Sequence, residues 1–186
     1  MRRRINILLP IAVLLIAATN TYNEIVWDST NALEWKDFNT QPSEAYYDAL
    51  TATAISFSYT TKATTFDIEV FAVFDKDESW VNSHKASDAL LSHEQLHFDI
   101  TELWTRRLRR AISDARYLDE EILAELYNVH LKGMARMQQY YDAETHHSLR
   151  HKPQQNWSTR VRIELDKLSD YQSSLIVKPR EVVARQ

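Results

Sequence analysis

The chain has no cysteine and only one glycine, Gly133, among its 186 residues. Without cysteine, a disulfide framework and a lipid-modified cysteine near an export cleavage site are both excluded. A single glycine excludes the glycine-rich loops that bind dinucleotides and phosphates. Tight turns that need positive φ must then use other residues, with Asn and Asp the first candidates.

Basic residues are also in short supply. The sequence has 22 Lys and Arg against 26 Asp and Glu, a formal net charge of −4. Removing the N-terminal Arg2, Arg3 and Arg4 leaves 22 − 3 = 19 basic residues against 26 acidic ones, a net charge near −7. We therefore expect no nucleic-acid partner. One basic cluster, residues 106–110, is interpreted as the solvated end of a helix, where cations suit the helix dipole.

The main apolar run, Ile5 to Ala18, is shorter than the ~20 residues of a membrane span. It follows three arginines and leads into the small residues Ala17-Ala18-Thr19, as secretory signals do. We expect residues 1–20 to be a cleaved signal peptide and residues 21–186 to form one exported domain, periplasmic or extracellular. The mature chain would then keep no stable membrane span; an uncleaved N-terminal anchor is the alternative.

Hydrophobic periodicity predicts strands first and helices afterwards. Residues 52–60 and 65–74 alternate apolar and polar side chains, which predicts an antiparallel hairpin turning at 61–64. Residues 21–40 suggest one or two further short strands. The segment 65–74 precedes the first predicted helix by a short link, so by analogy with zinc peptidases it is a candidate edge for binding a peptide by β-addition.

Three helices are expected after the strands. The first runs to about Asp114 and is capped by Ser83 or Ser87, and the second spans roughly Leu118 to Tyr141. Residues 142–155 are expected to be irregular, a third helix begins near Asn156, and the tail beyond Ser173 is expected to be loosely held. This order predicts an α+β fold.

The first helix carries His93-Glu94-x-x-His97. Histidines four residues apart lie on one face of a helix, so both imidazoles can reach one zinc ion, and the intervening glutamate lies beside the metal as a general base. Both histidines fall on the apolar, inward face of the helix. Two core histidines hydrogen-bonded to neighbours are the alternative, although such a pair is costly to satisfy without a shared partner.

A catalytic zinc usually has three protein ligands, so a third must come from elsewhere. Asp99 and Glu102 follow the helix turn too closely and on other faces, and they are expected to be solvated. The segment 141–148 concentrates Asp142, Glu144, His146 and His147 where a helix is expected to end. On ligand chemistry alone, a third imidazole and a carboxylate both remain open.

Several stretches resemble a bacterial family of domains described as predicted secreted zinc-dependent proteases. The stretches are His93 to Leu103, Tyr141 to His147, Gln155-Asn156-Trp157, Leu33 to Phe38, and Ala52-Thr53. The family's loop resembles Tyr-Asp-x-Glu-Thr-x-His-Gly, which aligns its histidine with His147 and places Ser148 where glycine is expected. The resemblance implies a zincin-like fold and His147 as the third ligand, with Glu144 next.

These features together predict an exported metallohydrolase with one zinc ion, most simply a peptidase acting on peptide or protein substrates. Glu94 would take a proton from the attacking water and pass it to the leaving amine. Asp142 is assigned the role of orienting a ligating imidazole. The alternatives are a zinc hydrolase acting on cell-wall peptides and an exported binding module that does no chemistry.

Overall fold

The computed structural model describes residues 23–43 and 45–179. The expected signal peptide, residues 1–20, lies outside this part of the chain. Among the described residues, no helix combines the length and the apolar character needed to cross a membrane.

The predicted hairpin is confirmed, and it forms the centre of the sheet. Its strands are β4 and β5, and Thr53 pairs with Phe74 at one end and Thr61 with Phe66 at the other. The strands are β1 (Glu24–Val26), β2 (Asn39–Thr40), β3 (Ala49–Leu50), β4 (Thr53–Thr61), β5 (Thr65–Asp75), β6 (Trp80–Val81) and β7 (Leu175–Pro179). A smaller sheet has the order β2-β6-β3.

Strand β5 is interior to its sheet. It pairs with β4 along one edge and with β1 and β7 along the other. The expectation that residues 65–74 provide an open edge for a peptide is therefore wrong. The prediction of a loosely held tail beyond Ser173 is wrong for residues 175–179, which pair with residues 65–69 and include the buried Ile176. Residues 180–186 lie outside the described part of the chain.

The helices are α1 (Asp88–Asp114), α2 (Glu120–Thr145) and α3 (His151–Lys167). Helix α1 begins as predicted, because the Ser87 hydroxyl accepts a hydrogen bond from the Leu90 amide at 3.2 Å. The predicted irregular segment 142–155 is mostly helical, since α2 continues to Thr145 and α3 begins at His151. Asp142, Thr145 and Gln154 face inward, while most of the other polar side chains of the segment are exposed. Pro153 lies in the first turn of α3, where its missing N–H costs little.

Helix α1 packs against the large sheet on one side and against α2 and α3 on the other. Strands followed by helices make the fold α+β, as predicted, with the short strand β7 returning to the sheet after α3. Because α1 is covered on both sides, its middle turns are buried, and polar side chains there must find partners inside the protein.

A buried charged cluster in α1 contradicts the sequence interpretation. Glu102, Arg106 and Arg109, expected to be solvated, are at most 4% exposed. Glu102 Oε1 accepts hydrogen bonds from Arg106 Nε at 2.8 Å and Arg109 Nη1 at 3.0 Å. The Arg109 guanidinium also donates to the Val70 and Tyr171 carbonyls, so it joins α1 to β5 and to the segment after α3.

Asp99 is likewise not solvated. Its Oδ1 accepts hydrogen bonds from Trp27 Nε1 at 2.8 Å and from Gln95 Nε2 at 2.9 Å. Burial raises the pKa of Asp99, and these two hydrogen bonds only partly oppose that shift. Asp99 therefore ties the β1 end of the chain to α1 and takes no part in the site described below.

The one glycine of the chain lies inside α2, where it faces Trp104 of α1. A Cβ atom at Gly133 would come within 2.2 Å of the Trp104 ring, far inside van der Waals contact. Its role is therefore close packing of two helices. Positive φ is instead adopted, within residues 23–43 and 45–179, by His146, His147 and Ser148.

Candidate metal centre

One turn of α1 presents His93, Glu94 and His97 to a cleft. The His93 side chain is 2% exposed and that of His97 is 12% exposed. Their Nε2 atoms are 3.3 Å apart and the rings are nearly perpendicular. The pair lies on the inward face of the helix, so both imidazoles point toward the last turns of α2.

Asp142, in the last turn of α2, meets both histidines. Its Oδ1 lies 3.1 Å from His93 Nε2 and 2.9 Å from His97 Nε2. In the described part of the chain, these three side chains form a group whose ligand atoms are close enough to share one metal ion. Two imidazole nitrogens and one carboxylate oxygen thus converge on a single point.

Two glutamines hold the outer nitrogens of the imidazoles. Gln138 donates its amide to the His97 carbonyl at 2.9 Å, which turns Gln138 Oε1 toward His97 Nδ1. Gln154 Oε1 accepts from the Tyr141 hydroxyl at 2.7 Å and lies 3.1 Å from His93 Nδ1. Since amide oxygens only accept hydrogen bonds, each Nδ1 is the protonated nitrogen.

This tautomer leaves each Nε2 facing the Asp142 carboxylate with a lone pair. Three electron-rich atoms at these separations need a positive charge between them, either a proton or a metal cation. The directions of the pKa shifts of His97 and Asp142 agree with a positive charge shared at this point. Burial lowers the pKa of His97, but its hydrogen bond with Asp142 and the charges of Glu94 and Asp142 raise it overall. Burial acts to raise the pKa of Asp142, but the two imidazoles hold it far below its usual range.

Tyr141 stacks on His93, with ring centroids 4.5 Å apart, and is fully buried. Burial raises its pKa, so the hydroxyl keeps its proton and serves as a donor to Gln154. The neighbouring Tyr140 is 59% exposed and lies outside the cleft that contains the histidines. Tyr141 therefore holds His93 and Gln154 in position from behind the cleft.

Glu94 is 4% exposed and also lines the cleft. Within residues 23–43 and 45–179, no side chain or amide donates a hydrogen bond to its carboxylate, and it stands outside the metal-binding group. Since Glu94 lines the cleft, its carboxylate is available to accept a hydrogen bond from a molecule bound there. Its placement beside the two imidazoles is what the sequence motif predicts for a general base.

The other predicted ligands lie farther from the point of convergence. His147 Nδ1 is 3.5 Å from Asp142 Oδ1, and the half-exposed ring rests on Tyr47 at a centroid distance of 4.7 Å. Glu144 faces another side of α2, where its carboxylate accepts a hydrogen bond from Trp157 Nε1 at 2.7 Å. Asp142, expected to support an imidazole from behind, instead lies on the Nε2 side with the proposed ligands.

Gln138, Gln154 and Tyr141 complete the site, and sequence reasoning gave the two glutamines no role. Gln138 precedes Asp142 by four residues on α2, so its position on the same helix face was available from spacing alone. Gln154 carries no such signal. It reaches His93 because the chain turns sharply after α2 and brings the first turn of α3 against α1.

The sharp turn consists of three consecutive residues in the left-handed region. His146, His147 and Ser148 have φ of 48°, 50° and 74°, and the His147 amide donates to the Asp142 carbonyl. Non-glycine residues pay about 1 kcal/mol or more for this conformation. Ser148 occupies the position at which the family that the sequence resembles has glycine.

We expect Ser148→Gly to stabilise the protein by about 0.5–1 kcal/mol, because glycine adopts positive φ without steric cost. Urea unfolding followed by circular dichroism measures the change. Ser173→Gly, outside the helices and with no positive φ, is the control and is expected to lower the free energy of unfolding slightly. Equal destabilisation by both substitutions would contradict the prediction.

The cleft has a volume of about 580 Å³. One wall is formed by residues 46–53 and the other by residues of α1 and α2 and by the turn at 146–149. Asp48, Glu94 and Asp142 are its acidic lining residues, and no Lys or Arg of the described chain lines it. The cleft therefore favours cationic groups over anionic ones.

Comparisons of the chain with models of protein families, with curated proteins and with solved structures find no match in any of the three. A function for the cleft must therefore be inferred from its own geometry.

Proposed function

We propose that the chain is an exported, zinc-dependent hydrolase of peptide bonds that uses Glu94 as its general base. The observation that carries the proposal is the convergence of His93 Nε2, His97 Nε2 and Asp142 Oδ1 on one point beside a buried, unpartnered carboxylate. The composition of residues 1–20 supports the proposal of export, and the motif in α1 supports the proposal of a zincin-like arrangement.

The donor set fits zinc. Nitrogen and oxygen ligands at ~2.0–2.1 Å from a tetrahedral ion lie roughly 3.3–3.4 Å from one another. The three donor atoms are separated by 3.3, 3.1 and 2.9 Å, so outward shifts of a few tenths of an ångström would suffice. Two imidazoles and one carboxylate are also the ligand set of several zinc peptidases.

The arrangement favours a catalytic ion over a structural one. A structural zinc site is closed by four protein ligands, whereas this group offers three and opens into a cleft. Glu94 has no use in a purely structural site. His93 and His97 are held in the ligating tautomer by Gln154 and Gln138, which preorganises the ligands.

The protein groups have distinct roles in the proposed reaction. Zinc, when bound, supplies charge that polarises a substrate carbonyl and acidifies water. Glu94 accepts a proton from the attacking water and returns it to the leaving amine. Glu94 lines the cleft next to the two imidazoles, which places its carboxylate where a bound water molecule would lie.

The identity of the third ligand can be tested by zinc affinity. We expect Asp142→Ala to weaken zinc binding by more than the ~10–100-fold that follows loss of a group that only orients a ligand. His147→Ala is expected to have a smaller effect, and Glu144→Gln none, because Glu144 faces Trp157. Competition with a chromophoric chelator measures all three. A larger loss for His147→Ala than for Asp142→Ala would restore His147 as the ligand.

The function itself is tested with the purified protein lacking residues 1–20. We expect about one zinc per chain by elemental analysis, and cleavage of members of a broad library of unstructured peptides that stops when a chelator removes the metal. Absence of bound zinc after dialysis against zinc would overturn the metal site. Bound zinc without cleavage of any peptide would favour a binding module over an enzyme.

A further inference from the structure

A second pocket, separate from the cleft, lies where α1, α2 and α3 meet. It has a volume of about 420 Å³, and none of its lining residues lines the cleft. The pocket and the cleft both use α2 as a wall, but on different faces of the helix. Gln138 and Asp142 line the cleft, whereas Arg136 and Tyr140 line the pocket. The proposed hydrolysis gives this pocket no role.

Two tryptophan–arginine pairs line the pocket from α1 and α3. Arg107 follows Trp104 by three residues, and Arg160 follows Trp157 by three residues, so the members of each pair lie on one face of their helix. The Arg107 guanidinium lies over the Trp104 ring, 4.5 Å from its centroid, and that of Arg160 lies 5.1 Å from the centroid of Trp157. A guanidinium held over a ring keeps N–H donors for other groups.

Both indole rings are fixed against α2. Trp104 Nε1 donates to Met137 Sδ at 3.2 Å, and Trp157 Nε1 donates to the Glu144 carboxylate at 2.7 Å. Gly133 leaves room for the Trp104 ring, which a Cβ there would overlap. The walls of the pocket are thus held in place before a ligand binds, which lowers the cost of ordering them on binding.

The arginines of the pocket have few partners of their own. In the part of the chain that the structure describes, no hydrogen bond or ion pair reaches the guanidinium of Arg136 or Arg160. That of Arg107 bonds only to Glu164, at 3.5 Å, although its side chain is just 25% exposed. Burial lowers the pKa of Arg107, and the positive charges of Arg110 and Arg160 also act to lower it, against the charge of Glu164.

The balance of charge in the pocket is therefore positive. Three guanidinium groups line it, and Glu144 is its one acidic lining residue among those described. The Glu144 carboxylate already accepts a hydrogen bond from an indole. In a chain whose formal net charge is −4, such a concentration of positive charge favours an anionic ligand over a cationic one.

The chemistry of the pocket narrows the class of anion. Guanidinium groups match the geometry of phosphate and carboxylate oxygens. A phosphate monoester carries a charge of about −1.5 to −2 at pH 7 and so balances more than one arginine, whereas a carboxylate carries a single charge. The remaining lining is apolar or aromatic and includes Met137, Trp104 and the exposed ring of Tyr140. An apolar body attached to the phosphate would contact these side chains.

We propose that this pocket binds a phosphate monoester carried on an apolar body. The phosphate oxygens accept hydrogen bonds from Arg107, Arg136 and Arg160, and the apolar body lies against Trp104 and Tyr140. Because the pocket and the cleft share no lining residue, this binding requires neither zinc nor peptide cleavage. A soluble ester and a lipid headgroup both carry this chemistry.

The first measurement titrates 2-naphthyl phosphate into the full exported chain by calorimetry, after a chelator has removed zinc so that the phosphate cannot bind to the metal. We expect one binding site per chain. Inorganic phosphate lacks the apolar body and 2-naphthol lacks the charge, so each should bind at least about tenfold more weakly. No binding of 2-naphthyl phosphate, or binding that appears only when zinc is restored, would overturn the proposal.

Substitutions locate the binding. Arg136→Gln and Arg160→Gln should fold like the wild type, because both residues are exposed and glutamine is a good helix former. Each is expected to weaken the binding of 2-naphthyl phosphate about tenfold. Arg162→Gln is the matched control, since it removes the same charge from an exposed position on α3 that does not line the pocket. Equal losses in all three variants would indicate general attraction by charge and overturn the proposal.

Sedimentation with vesicles distinguishes the two sources of the ester. The vesicles contain either phosphatidylcholine alone or an equal mixture of phosphatidylcholine and phosphatidic acid. Sedimentation with the mixed vesicles only, lost in Arg136→Gln and kept in Arg162→Gln, would support a lipid headgroup. Binding of 2-naphthyl phosphate without sedimentation would support a soluble ester. Neither result depends on peptide cleavage, so failure of the proposed hydrolase would leave both unchanged.

Discussion

Glu94→Gln is expected to bind zinc like the wild type and to lose about 10²–10⁴-fold in kcat. Glutamine keeps the shape and burial of the side chain but cannot accept a proton from water. Zinc content should hold because the converging donors belong to His93, His97 and Asp142. Elemental analysis and peptide hydrolysis measure the two properties on the same sample.

Glu125→Gln is the charge-matched control, since Glu125 is exposed on α2 and does not line the cleft. Its kcat and zinc content should equal those of the wild type. If Glu94→Gln turned over peptides at the wild-type rate with zinc bound, Glu94 would not be the general base. If it lost zinc instead, its carboxylate would have to be counted among the ligands.

Glu102→Ala is expected to lower the free energy of unfolding by about 3–5 kcal/mol, the usual cost of removing one member of a buried ion pair. The substitution leaves the Arg106 and Arg109 guanidinium groups buried, at most 4% exposed, without the carboxylate that accepts from both. Arg109 would keep its bonds to backbone carbonyls, which limits the loss. Urea unfolding provides the measurement.

Glu164→Ala is the matched control for an exposed pair. Glu164 lies within 3.5 Å of Arg107 and 2.8 Å of Lys167, both near the surface, and such pairs contribute about 1 kcal/mol or less. The two variants should therefore differ several-fold in destabilisation. If Glu102→Ala prevented folding, Glu102→Gln, which retains one acceptor oxygen, would report the same interaction in a milder form. If Glu102→Ala, Glu102→Gln and Glu164→Ala all had equally small effects, the buried cluster would contribute little to the free energy of unfolding.

The strands and the start of the first helix were predictable because their signals are local. Alternation fixed the hairpin 53–61 and 65–75 to within a residue or two, and Ser87 is a typical N-cap. The end of α2 was not predictable in the same way. Its boundary depends on a left-handed turn at residues 146–148 that contains no glycine. None of these residues prefers positive φ strongly enough for the turn to be predicted from the sequence.

The position of this helix end determines which side chain of the segment reaches the two histidines. With α2 continuing to Thr145, residue 142 is helical and its carboxylate points at the two imidazoles. With an irregular segment beginning at 142, as the sequence suggested, the resemblance favoured His147 as the third ligand with Glu144 next, and Asp142 was given only the role of orienting an imidazole. The turn of α1 that carries His93 and His97 needed no such information, since the spacing of the histidines already places them on one face.

The buried arginines were missed for a different physical reason. Periodicity treats a guanidinium as polar and so assigns it to solvent, but Arg109 satisfies its donors with Glu102 and with the carbonyls of Val70 and Tyr171. Those carbonyls belong to β5 and to the segment after α3, which only the tertiary structure brings to α1. No pattern within one helix contains that information.

The side chains that positions 133 and 104 can carry depend on each other. Because a Cβ at position 133 would overlap the indole ring, an alanine there requires the Trp104 side chain to move or a smaller side chain at position 104. The two positions should consequently vary together among chains that share this helix pair, and anyone seeking to rigidify α2 by replacing its glycine would have to redesign α1 in the same step.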